Sequence, residues 1–463
     1  MYNHKYITTT LPYINSTPHI GHCFEFVLAD VIAEYHRLGG NVFFNVGIDE
    51  HGQKIHQKSI ELGYPHPQLY CDDLSVVWRH FCSVLLINYD NFYRTTSSTH
   101  KENVLEYYKE IKRFIYSKGY EGKYCVGCES FITDKEVVDG KCAIHNTELI
   151  QTKETNKFFD LSKFTDSIAD VLIDESKSAE LKNIIQDKFD LSITRQNVKW
   201  GIRSEDGDVF YVWFEALLNY IFAIGYYEDK NHFDKYWENS LIICGKDNLK
   251  FQAYILQAIL QANNIPQTKE ILVHGNILDA QGIKLSKTVG NVIDPLEQVR
   301  KYGIDAVRYY LVFGLNTFSD SKYSEADLVQ KWNNDIVNGL GNLISRLLHL
   351  MDIKQVVLDE DQLSDSTLDR INANAKYINN CFLTYNFKEL GNLLNAVVFW
   401  LNKRITIEKP FDKNCTNSSE ILNELWFELH GIIKYYGIVL KEHKEALETA
   451  FVNNKKVIVF ERI

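Results

Sequence analysis

The sequence predicts an α/β fold built on a doubly wound parallel sheet, with an insertion in the sheet domain and an α-helical bundle toward the C-terminal end. Three observations carry this. Residues 5–11 are β-rich, 23–38 have helical periodicity and 41–48 read as a second strand, the order of a parallel βαβ unit. Strand-like runs at 241–244 and 271–273 flank an apolar helix over 250–261, so the alternation resumes far downstream. From about residue 327 the apolar spacing is helical almost throughout, most clearly over 336–350, 387–405 and 421–440.

Each element has a local reason. In 23–38, Phe24, Val27, Val31, Ile32, Tyr35 and Leu38 recur at three- and four-residue steps and stripe one helix face. Gly39 and Gly40 stop that helix, because glycine favours left-handed backbone just past a helix end. Between 117 and 201 the composition turns polar, with short, turn-rich segments, and residues 358–367 read as a polar interhelix loop. The expected divisions are a sheet domain over 1–116 and 202–326, an insertion over 117–201 and a helical domain over 327–463.

A chain of 463 residues exceeds one ordinary core, so two to four compact units are expected. The 50 Lys and Arg against 61 Asp and Glu give a formal net charge of -11, which excludes wholesale coating by nucleic acid and leaves local basic contacts. Apolar runs of membrane-spanning length are missing from the sequence, and the first strand begins almost at Met1. A cytoplasmic location without a leader, and no membrane partner, are the expectations. Six of the nine cysteines, at 23, 71, 82, 244, 381 and 415, have no paired spacing, as in a reducing compartment.

The other three form a pattern. Cys125-x-x-Cys128, thirteen residues, then Cys142-x-x-His145 supplies three thiolates and an imidazole at finger-like spacing, a tetrahedral set for one structural Zn²⁺ per chain. With all four positions filled by protein, no open site remains for catalysis.

Two motifs bracket the sheet domain. Pro18-His19-Ile20-Gly21-His22 lies between the first strand and its helix, where a helix start offers N–H groups to phosphates and two imidazoles can donate to developing charge. Lys284-Leu285-Ser286-Lys287-Thr288 follows a late strand, and two lysines on a loop suit a triphosphate that must be gripped and released. Together His19, His22, Lys284 and Lys287 make the signature of class I aminoacyl-tRNA synthetases, and Leu285 replaces the commoner Met there at conserved volume.

Several further segments make the chain resemble the methionyl-tRNA synthetase family of bacterial type. They are Gly47-Ile48-Asp49-Glu50-His51-Gly52, Val198-Lys199-Trp200-Gly201-Ile202, the run 210–220 around Trp213, Gly245-Lys246-Asp247 and Val273-His274-Gly275. The resemblance implies a Rossmann-type catalytic domain that activates L-methionine with ATP and Mg²⁺ and charges methionine tRNA, initiator and elongator. It also implies a zinc knuckle in the insertion and an anticodon-binding helical bundle. By the same resemblance Leu11, Tyr13, Trp213, Ala216, Leu217, Tyr220 and His274 line the methionine pocket and Asp49 holds the α-ammonium group. Asn342, Arg346 and Phe411 take the places of anticodon contacts, Phe411 standing after Pro410 where the family has Trp. Apolar and aromatic walls with a hydroxyl or imidazole near sulfur suit an unbranched thioether.

Two further residues depart from the family pattern: Glu215 stands where Asp is frequent, and Gln252 where His is frequent. The chain has no room for the long editing insertion of the branched-chain synthetases, and its end directly after the bundle makes a monomer the expectation. Two other classes compete: a nucleotidyltransferase making an adenylylated cofactor, which needs neither bundle nor knuckle, and a non-catalytic RNA-binding relative, which needs neither signature motif.

Overall fold

The computed structural model describes residues 4–15, 17–125, 130–132, 137–143, 147–164, 176–186, 190–196, 198–285, 290–453 and 460–463. Cys128, His145 and Lys287 therefore lie outside the described residues. The chain folds into two compact units. One comprises residues 1–18, 40–81 and 88–273, the other 19–39, 82–87 and 274–463.

The first unit is organised by a five-stranded sheet. Its strands are β1 (His4–Thr9), β2 (Asn41–Ile48), β3 (Asn91–Arg94), β4 (Ser240–Gly245) and β5 (Glu270–His274), in spatial order β5-β4-β1-β2-β3. β1 pairs in parallel with β2 and β4, and β2 with β3, so Tyr6 faces Phe43 on one side and Ser240 on the other. Residues 5–9 of β1 are buried, as a central strand covered on both faces must be. The order of connections reverses between β1 and β4, the switch point at whose carboxyl ends open α/β sheets bind ligands.

The insertion departs from the short segments read in the sequence. Ile115–Cys125 and Ile150–Phe159 are long strands paired antiparallel from Ile115–Phe159 to Tyr124–Ile150. Much of the first strand, including Tyr116, Ser117, Lys118, Gly119, Glu121 and Lys123, is exposed. A strand without a buried face has no apolar alternation to read. Beyond its tip a hairpin joins Val137–Val138 to Lys141–Cys142 through Asp139 and Gly140, whose φ angles of 51° and 78° fit a tight two-residue turn.

In the second unit α1 (Ile20–Arg37) begins three residues earlier than its periodicity suggested, because His19 caps it. α2 (Ile304–Gly314) carries Arg308, fully buried and bonded to Asp30 of α1 at 2.6 Å, to the Leu85 carbonyl at 2.9 Å and to the Val439 carbonyl at 2.9 Å. The bundle follows as α3 (Asn342–Lys354), α4 (Asp365–Leu383), α5 (Phe387–Glu408) and α6 (Ser418–Val439). Glu428 of α6 accepts from Arg370 of α4 and Arg404 of α5, at 2.7 and 2.8 Å, and so ties three helices. Ahead of α3 the expected α-helix is a π-helical stretch, Trp332–Gly341. A Cβ on Gly339 or Gly341 would stand 3.2 Å from the carbonyl oxygen of Asn334 or Ile336, so glycine suits that tighter backbone approach.

Replacing Arg308 with Met leaves Asp30 buried with Lys441, 3.3 Å away, as its remaining described cation. The expected loss is about 3 kcal/mol or more of stability in denaturant unfolding, since breaking one side of a buried ion pair strands the other charge. A loss below about 1 kcal/mol would remove Arg308 as the clamp of this unit.

Candidate functional site

The amino-acid end of the predicted set lies in the first unit, at the carboxyl ends of β1 and β2. Past β1 the chain bends back so that Tyr13 bridges Asp49: Asp49 N–H donates to the Pro12 carbonyl at 2.9 Å and Ile14 N–H to the Asp49 carbonyl at 3.1 Å. Gly47 is required here. A Cβ at this position would meet the Tyr93 carbonyl oxygen at 2.5 Å and the Leu11 side chain at 2.8 Å, so both press against the end of β2. Asp49 itself is 5% exposed.

The segment predicted as a pocket helix is three short turns, Val212–Glu215, Ala216–Leu218 and Asn219–Phe222. Ala216, Leu217 and Tyr220 are buried and Trp213 half-buried. Trp213 stacks on Phe251, with centroids 4.0 Å apart and planes at 15°. Gln252 donates from Nε2 to the Tyr220 hydroxyl at 2.8 Å, and both are buried. Phe251 and Gln252 open a π-helical turn, Phe251–Ile255, ahead of Leu256–Ala262, where the sequence reads one α-helix. A π-turn shifts the side chains that follow it, which is why such turns recur at functional sites. Gln252 thus joins Tyr220 by a direct bond, a pairing that spacing 32 residues apart in sequence does not reveal.

Glu215 faces away from solvent entirely and sits between two imidazoles. Its Oε1 is 2.8 Å from His51 Nδ1 and its Oε2 is 2.7 Å from His100 Nε2, while His100 Nδ1 is 2.9 Å from the Tyr93 hydroxyl. Burial alone would raise the Glu215 pKa, but His51 and His100 outweigh it and hold the carboxyl below its ordinary range. Burial lowers the His100 pKa against the opposing pull of Glu215. Glu50, between Asp49 and His51, is committed elsewhere, to Arg94 at 2.6 Å and the Thr96 hydroxyl at 2.7 Å. In the sequence His51 stands within Gly47-Ile48-Asp49-Glu50-His51-Gly52 without a role of its own. The signal that could have found it was a histidine two residues past the key aspartate at a strand end.

The nucleotide end of the set lies in the second unit. His19 caps α1, accepting at Nδ1 from Gly21 N–H at 3.1 Å, and donates its own N–H to His22 Nδ1 at 3.2 Å. The two rings stack with centroids 3.7 Å apart. A reciprocal cap of this kind fixes both imidazoles at the positive end of an 18-residue helix. Lys284 is exposed at the base of its loop, bridged to Leu278. Asp279 pins that base by accepting from Asn291 Nδ2 at 2.7 Å, and this bond holds the Asp279 carboxyl below its usual range. Ile20 N–H donates to the Ile293 carbonyl at 3.1 Å, so the start of α1 is bonded to the segment that leaves the Lys284 loop. The two signature motifs, 265 residues apart from His19 to Lys284, thus meet within one unit. His274 has both ring nitrogens engaged, one 2.8 Å from the Gly275 carbonyl and the other 3.0 Å from Glu25, so neither ring nitrogen is available to a thioether without an exchange of partners.

Of the four zinc-type ligands, Cys125 and Cys142 are described. Both are buried in one small cluster with Ile132, flanked by Val137 and Leu149. Two thiols drawn together where so few apolar side chains exist fit a site whose metal supplies the cohesion. In the bundle, Asn342 and Arg346 are exposed on α3, and Arg346 donates to Asn402 of α5 at 3.2 Å. Phe411 follows α5 and is 51% exposed, so its ring is not part of the core.

Residues 5–148 and 135–348 match the model of a family described as tRNA synthetases class I (M). The chain belongs to this class I tRNA synthetase family. Among its relatives, the methionine–tRNA ligase of Rickettsia conorii is 32% identical over 461 residues, 95% of this chain and 90% of that protein. The methionine–tRNA ligase of Fusobacterium nucleatum is 36% identical over 359 residues, 74% of this chain but 56% of its own length, so the match spans little more than half of that relative. A solved structure, Mycobacterium tuberculosis methionyl-tRNA synthetase in complex with methionyl-adenylate, matches with a TM-score of 0.89 at 28% identity, covering 96% of this chain and 93% of that one.

Proposed function

We propose that this chain is a methionine–tRNA ligase: it joins L-methionine to ATP as methionyl-adenylate, releasing pyrophosphate, and passes the methionyl group to the 3′-terminal ribose of methionine tRNA, releasing AMP. The observation that carries this reading is the buried Asp49 at the switch-point end of the sheet, in the same unit as the Trp213–Phe251 stack and the Tyr220–Gln252 pair. A carboxylate with apolar and aromatic neighbours suits an ammonium group joined to a thioether chain. The names of the relatives and the methionyl-adenylate of the matching structure agree with it.

In this mechanism the methionine carboxylate attacks the α-phosphorus of ATP in line. His19 and His22 hold the phosphates from the positive end of α1, and Lys284 and Lys287 close over the departing pyrophosphate. Mg²⁺ travels with ATP and screens its charge. Catalysis is positioning plus charge stabilisation, so no side chain has to form a bond to the substrate. Leu11, Tyr13, Trp213, Ala216, Leu217 and Tyr220 line the methionine pocket. Asn342, Arg346 and Phe411 contact the anticodon from the domain over 327–463. Cys125, Cys128, Cys142 and His145 hold one structural Zn²⁺, which cross-links the insertion over 117–201. The protein acts as a cytoplasmic monomer; separately, none of its described helices is long and apolar enough to cross a membrane.

Pyrophosphate exchange with each amino acid in turn tests the reading. Methionine should support it and leucine, isoleucine, valine and cysteine should not; a better response to another amino acid would overturn the assignment. Elemental analysis of metal-replete protein should find about one zinc per chain, as four filled protein positions require, and chelation should loosen the insertion; no zinc would remove that site. Replacing Phe411 with Ala should cost about 1 to 3 kcal/mol in kcat/KM for tRNA through lost base stacking, with exchange unchanged. Equal losses on native and anticodon-substituted tRNA would exclude stacking.

A further inference from the structure

Glu215, held as a carboxylate, can only accept hydrogen bonds, so each imidazole beside it presents an N–H. His100 does so through Nε2, and its Nδ1 accepts a hydrogen bond from the Tyr93 hydroxyl. His51 does so through Nδ1. That leaves His51 Nε2, on the far side of a ring only 1% exposed, with no hydrogen-bond partner among the described residues. Trp200 stands edge-on to the ring with centroids 5.5 Å apart, and its indole N–H is spent on the Glu50 carbonyl at 2.7 Å. A buried nitrogen left unpaired costs about 1–3 kcal/mol, so it marks a place where a ligand completes the bonding.

We propose that His51 is a further substrate-binding residue, whose Nε2 accepts a hydrogen bond from the α-ammonium group of the amino acid beside Asp49. The inference rests on the reading of the first unit as an amino-acid site. It goes beyond that reading by giving the ammonium a second acceptor and by making Glu215, His100 and Tyr93 the positioning chain behind it. The sign of the field selects a cation. Glu215 lies behind the ring with imidazoles rather than an Arg or Lys as its partners, Asp49 stands two residues away at the same strand end, and the negative charge of Glu50 is already met by Arg94. A carboxylate on Nδ1–H also fixes the tautomer and makes Nε2 the better acceptor, the role such pairs have behind liganded histidines. The glutamate at 215 has the reach to touch both rings at once, which gives this departure from the commoner aspartate a physical use.

Two variants separate binding from support. His51→Asn keeps an N–H near Nδ1 for Glu215 and removes the acceptor at Nε2. His51→Gln extends an amide to the Nε2 position and gives up the bond to Glu215. Each full-length variant is assayed by methionine-dependent pyrophosphate exchange, with methioninol, which has the ammonium but no carboxylate, and 4-(methylthio)butanoate, which has the carboxylate but no ammonium, as competitive inhibitors. For His51→Asn, methionine KM and methioninol inhibition should weaken about tenfold or more, as a lost charge-assisted bond implies, while the desamino acid stays within about twofold. His51→Gln should recover part of the methioninol binding, and it carries the comparison if His51→Asn does not fold. Equal weakening of both inhibitors, or weakening of the desamino acid alone, overturns the proposal while leaving the functional reading intact. Wild-type protein without methionine-dependent exchange overturns both.

Discussion

The position of β1 at the centre of the parallel sheet is the constraint on which the first unit depends. Its neighbours β2 and β4 lead away on opposite sides, so the chain leaving its carboxyl end enters the crevice that this reversal creates. Leu11, Pro12 and Tyr13 turn there, the Pro12 carbonyl and the Ile14 N–H bond to the backbone of Asp49, and the absence of a side chain on Gly47 lets Leu11 and the Tyr93 backbone close on the same point. A buried carboxylate is costly to place. Here the backbone of a second strand end fixes where it stands, and ligand chemistry follows from that placement.

The second unit reaches the same end by different means. Its first signature motif is a helix start whose two histidines satisfy each other and the first turn of α1, and a backbone bond ties that start to the exit of the lysine loop. Behind it stands α2, where Arg308 joins Asp30 of α1 to two carbonyls from other segments. Such a clamp is costly to break, since losing either partner strands the other charge in the interior.

The elements with a buried face were legible in the sequence. The strand read over 41–48 is β2 itself, and the apolar stripe of 23–38 packs into the core along α1 except for Leu38, which ends the helix and is exposed. What escaped had no periodic signature. The long strands of the insertion expose most of one chain and so lack alternation, and the π-turns at 251–255 and 332–341 shift hydrogen-bond register without changing composition. Site residues divide in the same way. Asp49 and the Trp213 segment were visible as motifs, whereas Gln252 on Tyr220, and Glu215 between His51 and His100, are partnerships across 32 to 164 residues that only a folded chain brings together. Two of the departures from the family pattern, Glu215 and Gln252, are in such partnerships.

The central claim is that Asp49, presented by the ends of β1 and β2, is the charge that receives the amino acid. Calorimetric titration of Asp49→Asn with L-methionine tests it most directly, alongside thermal unfolding to show that the variant is folded. The account predicts at least about a hundredfold weaker binding, the loss expected for a buried charge-assisted bond at a desolvated site, with the unfolding midpoint retained. Methionine binding within about threefold of the wild type would contradict it.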